Sequence, residues 1–280
     1  MIHNKNSIGN LYIISTPIGN LEDITYRAIR ILKEVDSILC EDKRVTIKLL
    51  NKYDINTKMI PYHKFNESES VNKILELIKE GKNIALVSDA GTPILSDPGS
   101  IIVKECLKNQ IKVIPIPGPS AITASLSVSG FNINDFLFIG FLPDKKNERI
   151  KLLSELKNRS NYVVIFMAPH DLNKYTNEIA EIYPDIEVFY IREITKMFEN
   201  SYKGPIKDFK KYIETSTVKG EMVLILDFSN LKVERTNINF NNEIEKQVKN
   251  GLSLKEASKL ISKEHNVSSK MIYDAYIKKH

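Results

Sequence analysis

The apolar positions of this 280-residue chain fall into short runs separated by amphipathic stretches. LYIIST (11–16), SILCE (37–41), KMIPY (58–62), NIALVS (83–88) and KVIPI (112–116) have strand length and end at polar or turn residues. Between them the period lengthens to that of a helix. TYRAIRILKEV (25–35) carries Ile29, Leu32 and Val35. Residues 70–81 carry Val71, Ile74, Leu75, Leu77 and Ile78 and end at Gly81. IIVKECLKN separates the last two strands. This alternation predicts a mostly parallel sheet with both faces covered.

The alternation resumes with FLFIGF (136–141), YVVIFM (162–167), EVFYIRE (187–193) and EMVLIL (221–226), with helices near 146–158 and 171–181. LKVERTNINFNN has the composition of a linker, and the remainder is helical in pattern. Ser253 and Glu256 form a capping box, with Leu254, Ala257, Leu260 and Ile261 as the buried face. HNVSS predicts a turn, and Met271, Ile272, Ala275 and Tyr276 a second face, as in a helix-turn-helix. The expected organisation is an α/β chain: an N-terminal α/β domain over 1–117, a second over 118–230, and a basic helical hairpin over 241–280.

Charge changes this picture at one end. The net charge is +5, and residues 231–280 hold ten Lys and Arg against six Asp and Glu, so +4 of it lies there. Such a tail suits an anionic partner such as nucleic acid, or simply a solvated lysine-rich surface. The two cysteines, Cys40 and Cys106, lie in apolar contexts and form neither a disulfide framework nor a metal-binding spacing, which predicts a reducing compartment and no metal. No secretion-signal pattern opens the chain, and the longest apolar run, VVIFMA, is far short of a membrane span. A cytoplasmic protein is expected.

Chemistry is suggested by punctuation. STPIGNLED (15–23), SDAGTP (88–93) and PGPSA (117–121) each follow a strand of the first sheet. Glycine lets a ligand approach the backbone, and open α/β sheets hold ligands at the carboxyl ends of their strands. Three such loops on one edge would frame a pocket. GxGxxG, P-loop and GxSxG patterns are absent, which argues against ordinary dinucleotide, NTPase and α/β-hydrolase chemistry.

STPIGNLEDIT, ILCEDKR, PYHKFNE, ALVSDAGTPILSDPG and PIPGPSAITASLSVSGF, with GFLP, YIREITKMFE and GEMVLIL, resemble in order the motifs of the tetrapyrrole-methylase superfamily. Within it they resemble the ribosomal RNA small-subunit methyltransferase I family, over nearly the whole chain. The resemblance implies two α/β domains with S-adenosyl-L-methionine in the cleft between them. It implies 2′-O-methylation of a cytidine ribose in the decoding region of 16S rRNA, in the small ribosomal subunit, by a homodimer. It implies cofactor contacts from Asp89, Gly91, Thr92, Pro93, Ser120 and Ala121, from Met167 and Ala168 on the adenine side, and from Pro17 and Gly19 near the methyl group. A ribose hydroxyl is a weak acid and needs a base or a stabilising cation. Glu41, Asp42, His63, Glu67 and Lys196 are the catalytic candidates, and Arg44 and Arg192 the candidates for holding RNA. The chain departs from the family pattern at Lys43, at Lys64-Phe65, where an acid is usual, and at Glu22. Two rival functions remain: a tetrapyrrole C-methylase or diphthine synthase-like enzyme, and a non-enzymatic nucleic-acid-binding protein.

Overall fold

A computed structural model of the protein describes residues 8–215, 219–231, 240–265 and 269–277. The chain divides into two compact units, Met1–Asn230 and Leu231–His280.

The first unit opens with β1 (Leu11–Ile14), α1 (Tyr26–Glu34), β2 (Ser37–Cys40), α2 (Lys43–Lys52), β3 (Lys58–Pro61), α3 (Glu67–Lys79), β4 (Ile84–Val87), α4 (Ser100–Lys108) and β5 (Val113–Ile116). The strands form one sheet in the order β3-β2-β4-β1-β5, every pair parallel. Its two faces are packed as the uniformly apolar strands predict. On β4, Ala85 and Val87 pack with Ala28, Leu32 and Leu50, whereas Ile84 and Leu86 pack with Ile74, Ile78 and Ile102. The helix α2 is not evident in the apolar pattern, because Val45 and Ile47 alternate like strand residues but are exposed. Thr46, Leu49 and Leu50 form its buried face, and Asp42 starts it by accepting from the Arg44 N–H at 2.8 Å.

The second sheet follows with α5 (Ala121–Val128), β6 (Leu137–Phe141), α6 (Lys146–Arg159), β7 (Tyr162–Met167), α7 (Leu172–Ile182), β8 (Glu187–Arg192), β9 (Asn200–Pro205), α8 (Ile206–Thr215) and β10 (Met222–Asp227). The order is β6-β7-β10-β8-β9; only β6–β7 is parallel, and the other pairs are antiparallel. The sequence pattern does not disclose β9 and α8. As an edge strand, NSYKGP pairs only with β8 and stays mostly exposed, so it carries no apolar run. Arg149 of α6 is fully buried. It donates to both oxygens of Glu178 on α7 (2.6 and 2.8 Å) and to the carbonyls of Pro143 and Asp144 (2.7 and 2.8 Å), with its guanidinium 4.4 Å from the Tyr175 ring centre.

The second unit is a bundle of α9 (Asn241–Lys249), α10 (Leu254–His265) and α11 (Ser269–Ile277) around Ile244, Ile261 and Ile272. Three helices therefore stand where a hairpin of two is expected, α9 beginning inside the presumed linker. The capping box is present: Ser253 N–H donates to Glu256 Oε2 at 2.9 Å and Glu256 N–H to Ser253 Oγ at 3.3 Å. Leu260, expected on the buried face, is exposed. The expected turn residues 266–268, most of the linker (232–239), and the side chains of Met271 and Ala275 lie outside the described residues.

Candidate active site

The three loops that the punctuation singles out are knit together. Thr16 and Gly91 exchange backbone hydrogen bonds, N–H to O at 2.8 and 3.0 Å. The Thr16 hydroxyl donates to Ser88 O at 3.0 Å, and the Ser15 and Thr92 hydroxyls lie 2.8 Å apart. The Thr92 hydroxyl also reaches Pro119 O at 3.3 Å. Gly91 stands at φ +80°, a backbone shape that side-chain-bearing residues seldom adopt.

These loops form one side of a cavity of about 370 Å³. Of the expected cofactor residues, Asp89, Gly91, Thr92, Ser120, Ala121, Met167 and Ala168 line it. Pro17 and Pro93 are buried beside the lining rather than in it, and Gly19 packs against Lys196 and the Ile194 carbonyl. Several lining residues escape the sequence analysis. Ile18, Phe141 and Phe166 form an apolar wall, with the two Phe rings 5.7 Å apart. Glu221 and Met222 arrive because β10 runs antiparallel to β7, which sets Met222 opposite Met167. Asp97 comes from the stretch ILSDPG, whose punctuation was visible but whose aspartate was not singled out.

That stretch is strained. Ile94 and Ser96 have φ of +82° and +70°, and a β-branched residue there is a genuine outlier. Such conformations cost roughly 1–3 kcal/mol each and persist only where the surroundings over-determine them. One anchor is Glu67 Oε2, which accepts from the Gly99 N–H at 3.2 Å. Glu67 thus stands at the start of α4 and holds the loop that carries Asp97.

The electrostatics at the mouth are acidic. Burial, then the charges of Glu41, Asp89 and Glu221, push the Asp97 carboxyl up to about 6, against the pull of Lys64. Burial and Asp89 raise Glu41, with Lys64 and His63 opposing; burial also raises Asp89, although its Oδ1 accepts from the Asp42 N–H at 3.1 Å. Asp42 goes the other way, down to about 2, through its bonds to Arg44. Arg44 is thereby paired with Asp42 while its own side chain is 91% exposed. Burial works against the Lys196 charge, but bonds to Glu193 (2.9 Å) and Glu221 (3.1 Å) hold its pKa above the ordinary lysine value. Gly220 makes this possible: a Cβ there would sit 2.0 Å from Glu193 Oε1. His63 Nδ1 is buried with no hydrogen-bond partner among the described residues. Arg192 ends β8 on the face where Tyr190 packs against α8, and it does not line the cavity. The structure therefore gathers Glu41, Asp89, Asp97, Lys64 and Glu221 at the mouth and leaves Arg192 outside.

In the unfolded chain Asp97 ionises near 3.8, and in the folded protein near 6. Between these values the folded state binds more protons, so stability falls as pH rises through the window. Asp97→Asn is expected to remove that part of the slope. Urea midpoints of the two proteins at about pH 4 and about pH 7 check this; identical slopes would refute it.

The cavity fits S-adenosyl-L-methionine on the structure's own terms. An apolar wall suits a flat base, the Gly91 backbone admits close approach, and the crowded carboxylates at the mouth favour a cation. The model of the Tetrapyrrole (Corrin/Porphyrin) Methylases matches residues 10–210. Among solved structures, the uroporphyrin III C-methyl transferase of Thermus thermophilus shares the fold with a TM-score of 0.57 at 16% identity, over 78% of this chain and 97% of that one. A structure of that enzyme complexed with S-adenyl homocysteine gives 0.56 at 18%, over 78% of this chain and 97% of that one. These define a tetrapyrrole-methylase type of protein. The ribosomal RNA small subunit methyltransferase I of Bacillus subtilis is 40% identical over 97% of this chain and 95% of its own length. That of Thermotoga maritima is 45% identical over 78% of this chain and 98% of its own. The chain belongs to the ribosomal RNA small subunit methyltransferase I family of the tetrapyrrole methylases.

Proposed function

We propose that this protein transfers a methyl group from S-adenosyl-L-methionine to the ribose 2′-hydroxyl of a cytidine in the decoding region of 16S rRNA. The observation that carries this is the end-to-end relationship to small-subunit rRNA methyltransferases, joined to an intact, apolar-walled cavity between knit Gly/Pro loops. When bound, the cofactor supplies an electrophilic methyl on a sulfonium. The chain's task is alignment: an in-line displacement gains most of its rate from holding the partners close and oriented. Asp89, Gly91, Thr92, Ser120 and Ala121 would hold the cofactor from residues 1–117 and the start of 118–230, with Met167 and Ala168 on the base. Pro17, Gly19 and Pro93 would shape the backing of the site. Burial and the Asp89 charge raise the Glu41 carboxyl, which makes it a better proton acceptor than an ordinary surface carboxylate. Asp42 is committed to Arg44 and to starting α2, Glu67 to Gly99, and Lys196 to two carboxylates, so they suit positioning better than proton transfer. His63, half-buried, suits a contact to substrate through its exposed edge and not through Nδ1, which is buried and has no hydrogen-bond partner among the described residues.

The Thermotoga relative bears the same name over a match of only 219 residues that nearly exhausts its length. This supports placing the chemistry in the first unit; the excess of Lys and Arg over residues 231–280 is what suits the second to an accessory RNA-binding role. A homodimer, as the superfamily resemblance implies, would sediment at twice the 32.0 kDa chain mass. A cytoplasmic location agrees with the absence, among the described residues, of any helix long and apolar enough to cross a membrane.

The test is transfer of labelled methyl to small ribosomal subunits lacking the modification, with nucleoside products identified by mass. 2′-O-methylcytidine is expected. Bound S-adenosylhomocysteine with no label in RNA would overturn the proposal in favour of a small-molecule or protein acceptor.

A further inference from the structure

Among the described residues the four most exposed large apolar side chains are Tyr26 (94%), Phe65 (94%), Met197 (91%) and Phe198 (71%). They are not scattered. Tyr26 is the first residue of α1, three residues after the end of the STPIGNLED loop. Met197 and Phe198 follow Lys196, whose ammonium bonds the cavity-lining Glu221 at 3.1 Å. The Asn20 N–H donates to Thr195 Oγ1 at 3.0 Å, so the first loop and the 195–198 loop touch. Phe65 lies two residues before Glu67, which is bonded to Gly99 at the end of the loop carrying Asp97, and Lys64 acts on both Glu41 and Asp97. None of the four lines the cavity, but Phe65 belongs to a segment anchored to the loop that carries Asp97, and Met197-Phe198 to one anchored to Glu221.

Leaving a phenylalanine in water forfeits the gain of burying it, and singly exposed apolar residues are ordinary. A group of them around one opening marks a binding surface. Cations adjoin two of them in the chain, Arg27 beside Tyr26 and Lys64 beside Phe65. Of the nearby acids, Glu199 is bonded to the Thr195 N–H and Asp42 to Arg44, Glu22 and Asp23 stay exposed, and Glu41, Asp89, Asp97 and Glu221 crowd the mouth itself, so stacking rather than charge is what the rim offers to RNA. Aromatic faces interleaved with cations suit single-stranded nucleic acid, whose bases stack while its phosphates pair. A ribose can reach the cavity only if its nucleotide leaves the stack, which bares the faces of its neighbours.

The structure assigns Phe65 and Phe198 a base-stacking role, with Met197 as an apolar contact beside them: the two rings cover the unstacked bases of single-stranded RNA beside the nucleotide whose ribose enters the cavity. This inference rests on the rRNA function proposed above. Its test compares wild type with Phe65→Ala, Phe198→Ala and the double variant in three readouts. These are the KM for unmodified small subunits, the Kd for S-adenosylhomocysteine, and quenching of 2-aminopurine in a single-stranded RNA oligonucleotide. Each single substitution is expected to raise KM roughly tenfold and to lose quenching, the cofactor Kd staying within about twofold. Phe65→Tyr and Phe198→Trp should restore both readouts, and Phe198→Leu should not, because only a π-face stacks. A double variant with KM within about twofold of wild type, or full rescue by Leu, would overturn the assignment. So would an altered sedimentation mass at unchanged KM, which would make this rim a contact between copies of the chain. If wild type quenches 2-aminopurine but makes no 2′-O-methylcytidine, the rRNA proposal fails and the stacking role stands. If wild type methylates and the alanine variants match it, the stacking role alone fails.

Discussion

Gly91→Val is expected to abolish most cofactor binding while leaving the protein folded. Gly91 sits at φ +80°, and a β-branched residue there is strained wherever space allows. Space does not allow it freely: a Cβ would meet Ile18 Cγ2 at 3.3 Å, on the wall of the cavity. The residue also exchanges two backbone hydrogen bonds with Thr16, so relief of the strain must pull the first and second loops apart. Strain near the top of the usual 1–3 kcal/mol translates into a loss of about 100-fold in S-adenosylhomocysteine affinity, with methyl transfer falling at least as far. Gly91→Ala, with the same φ problem and less bulk, should lose about tenfold. Calorimetric titration beside a circular dichroism spectrum separates lost binding from lost fold. A valine variant binding within about threefold of wild type would sink the assignment of this loop to the cofactor.

Glu178→Ala is expected to be among the most destabilising single changes in the first unit. It strands the Arg149 guanidinium, fully buried, with two of its four hydrogen bonds gone. Removing one partner of a buried pair costs more than the pair itself contributes, because the remaining charge stays desolvated. Arg149 keeps its bonds to the Pro143 and Asp144 carbonyls, so we take the low end of the range, about 3 kcal/mol, or a fall in Tm of roughly 6–12 °C for a unit of this size. Arg149→Met combined with Glu178→Leu should recover most of the loss, since no charge is left to desolvate. The pH dependence has a definite sign. The Arg149 hydrogen bonds hold Glu178 below its ordinary value of 4.5, so its stabilisation is present above that value and fades as pH falls through the lowered pKa. Thermal melts of the single and double variants decide the matter; a single variant melting within about 2 °C of wild type would refute it.

Much of the first sheet was legible because parallel strands covered on both faces must be apolar throughout. SILC and IALV are buried at every position. The loops were legible for a related reason: glycine and proline where a strand should continue can only be turns. What escaped notice lacked such a signal. The helix α2 presents Val45 and Ile47 to solvent, so its apolar residues alternate misleadingly. The edge strand β9 packs on one neighbour and needs no apolar run. Leu260 shows the limit of counting faces: helical spacing put it with Ile261, yet the small bundle core is filled by Ile244, Ile261 and Ile272.

The strand–helix order, the turn-dense loops at the strand ends and, through their motifs, the family were all readable from local sequence. These depend on local sterics and on the burial each element requires, which neighbouring residues declare. How the cavity closes depends on contacts between distant parts of the chain. The antiparallel register of β10 against β7 sets Met222 opposite Met167 and carries Glu221 to the mouth, beside Asp97 from a loop more than 120 residues earlier. The raised Asp97 carboxyl follows from that meeting, because charges interact through space and burial, and neither is written in the residues adjacent to it.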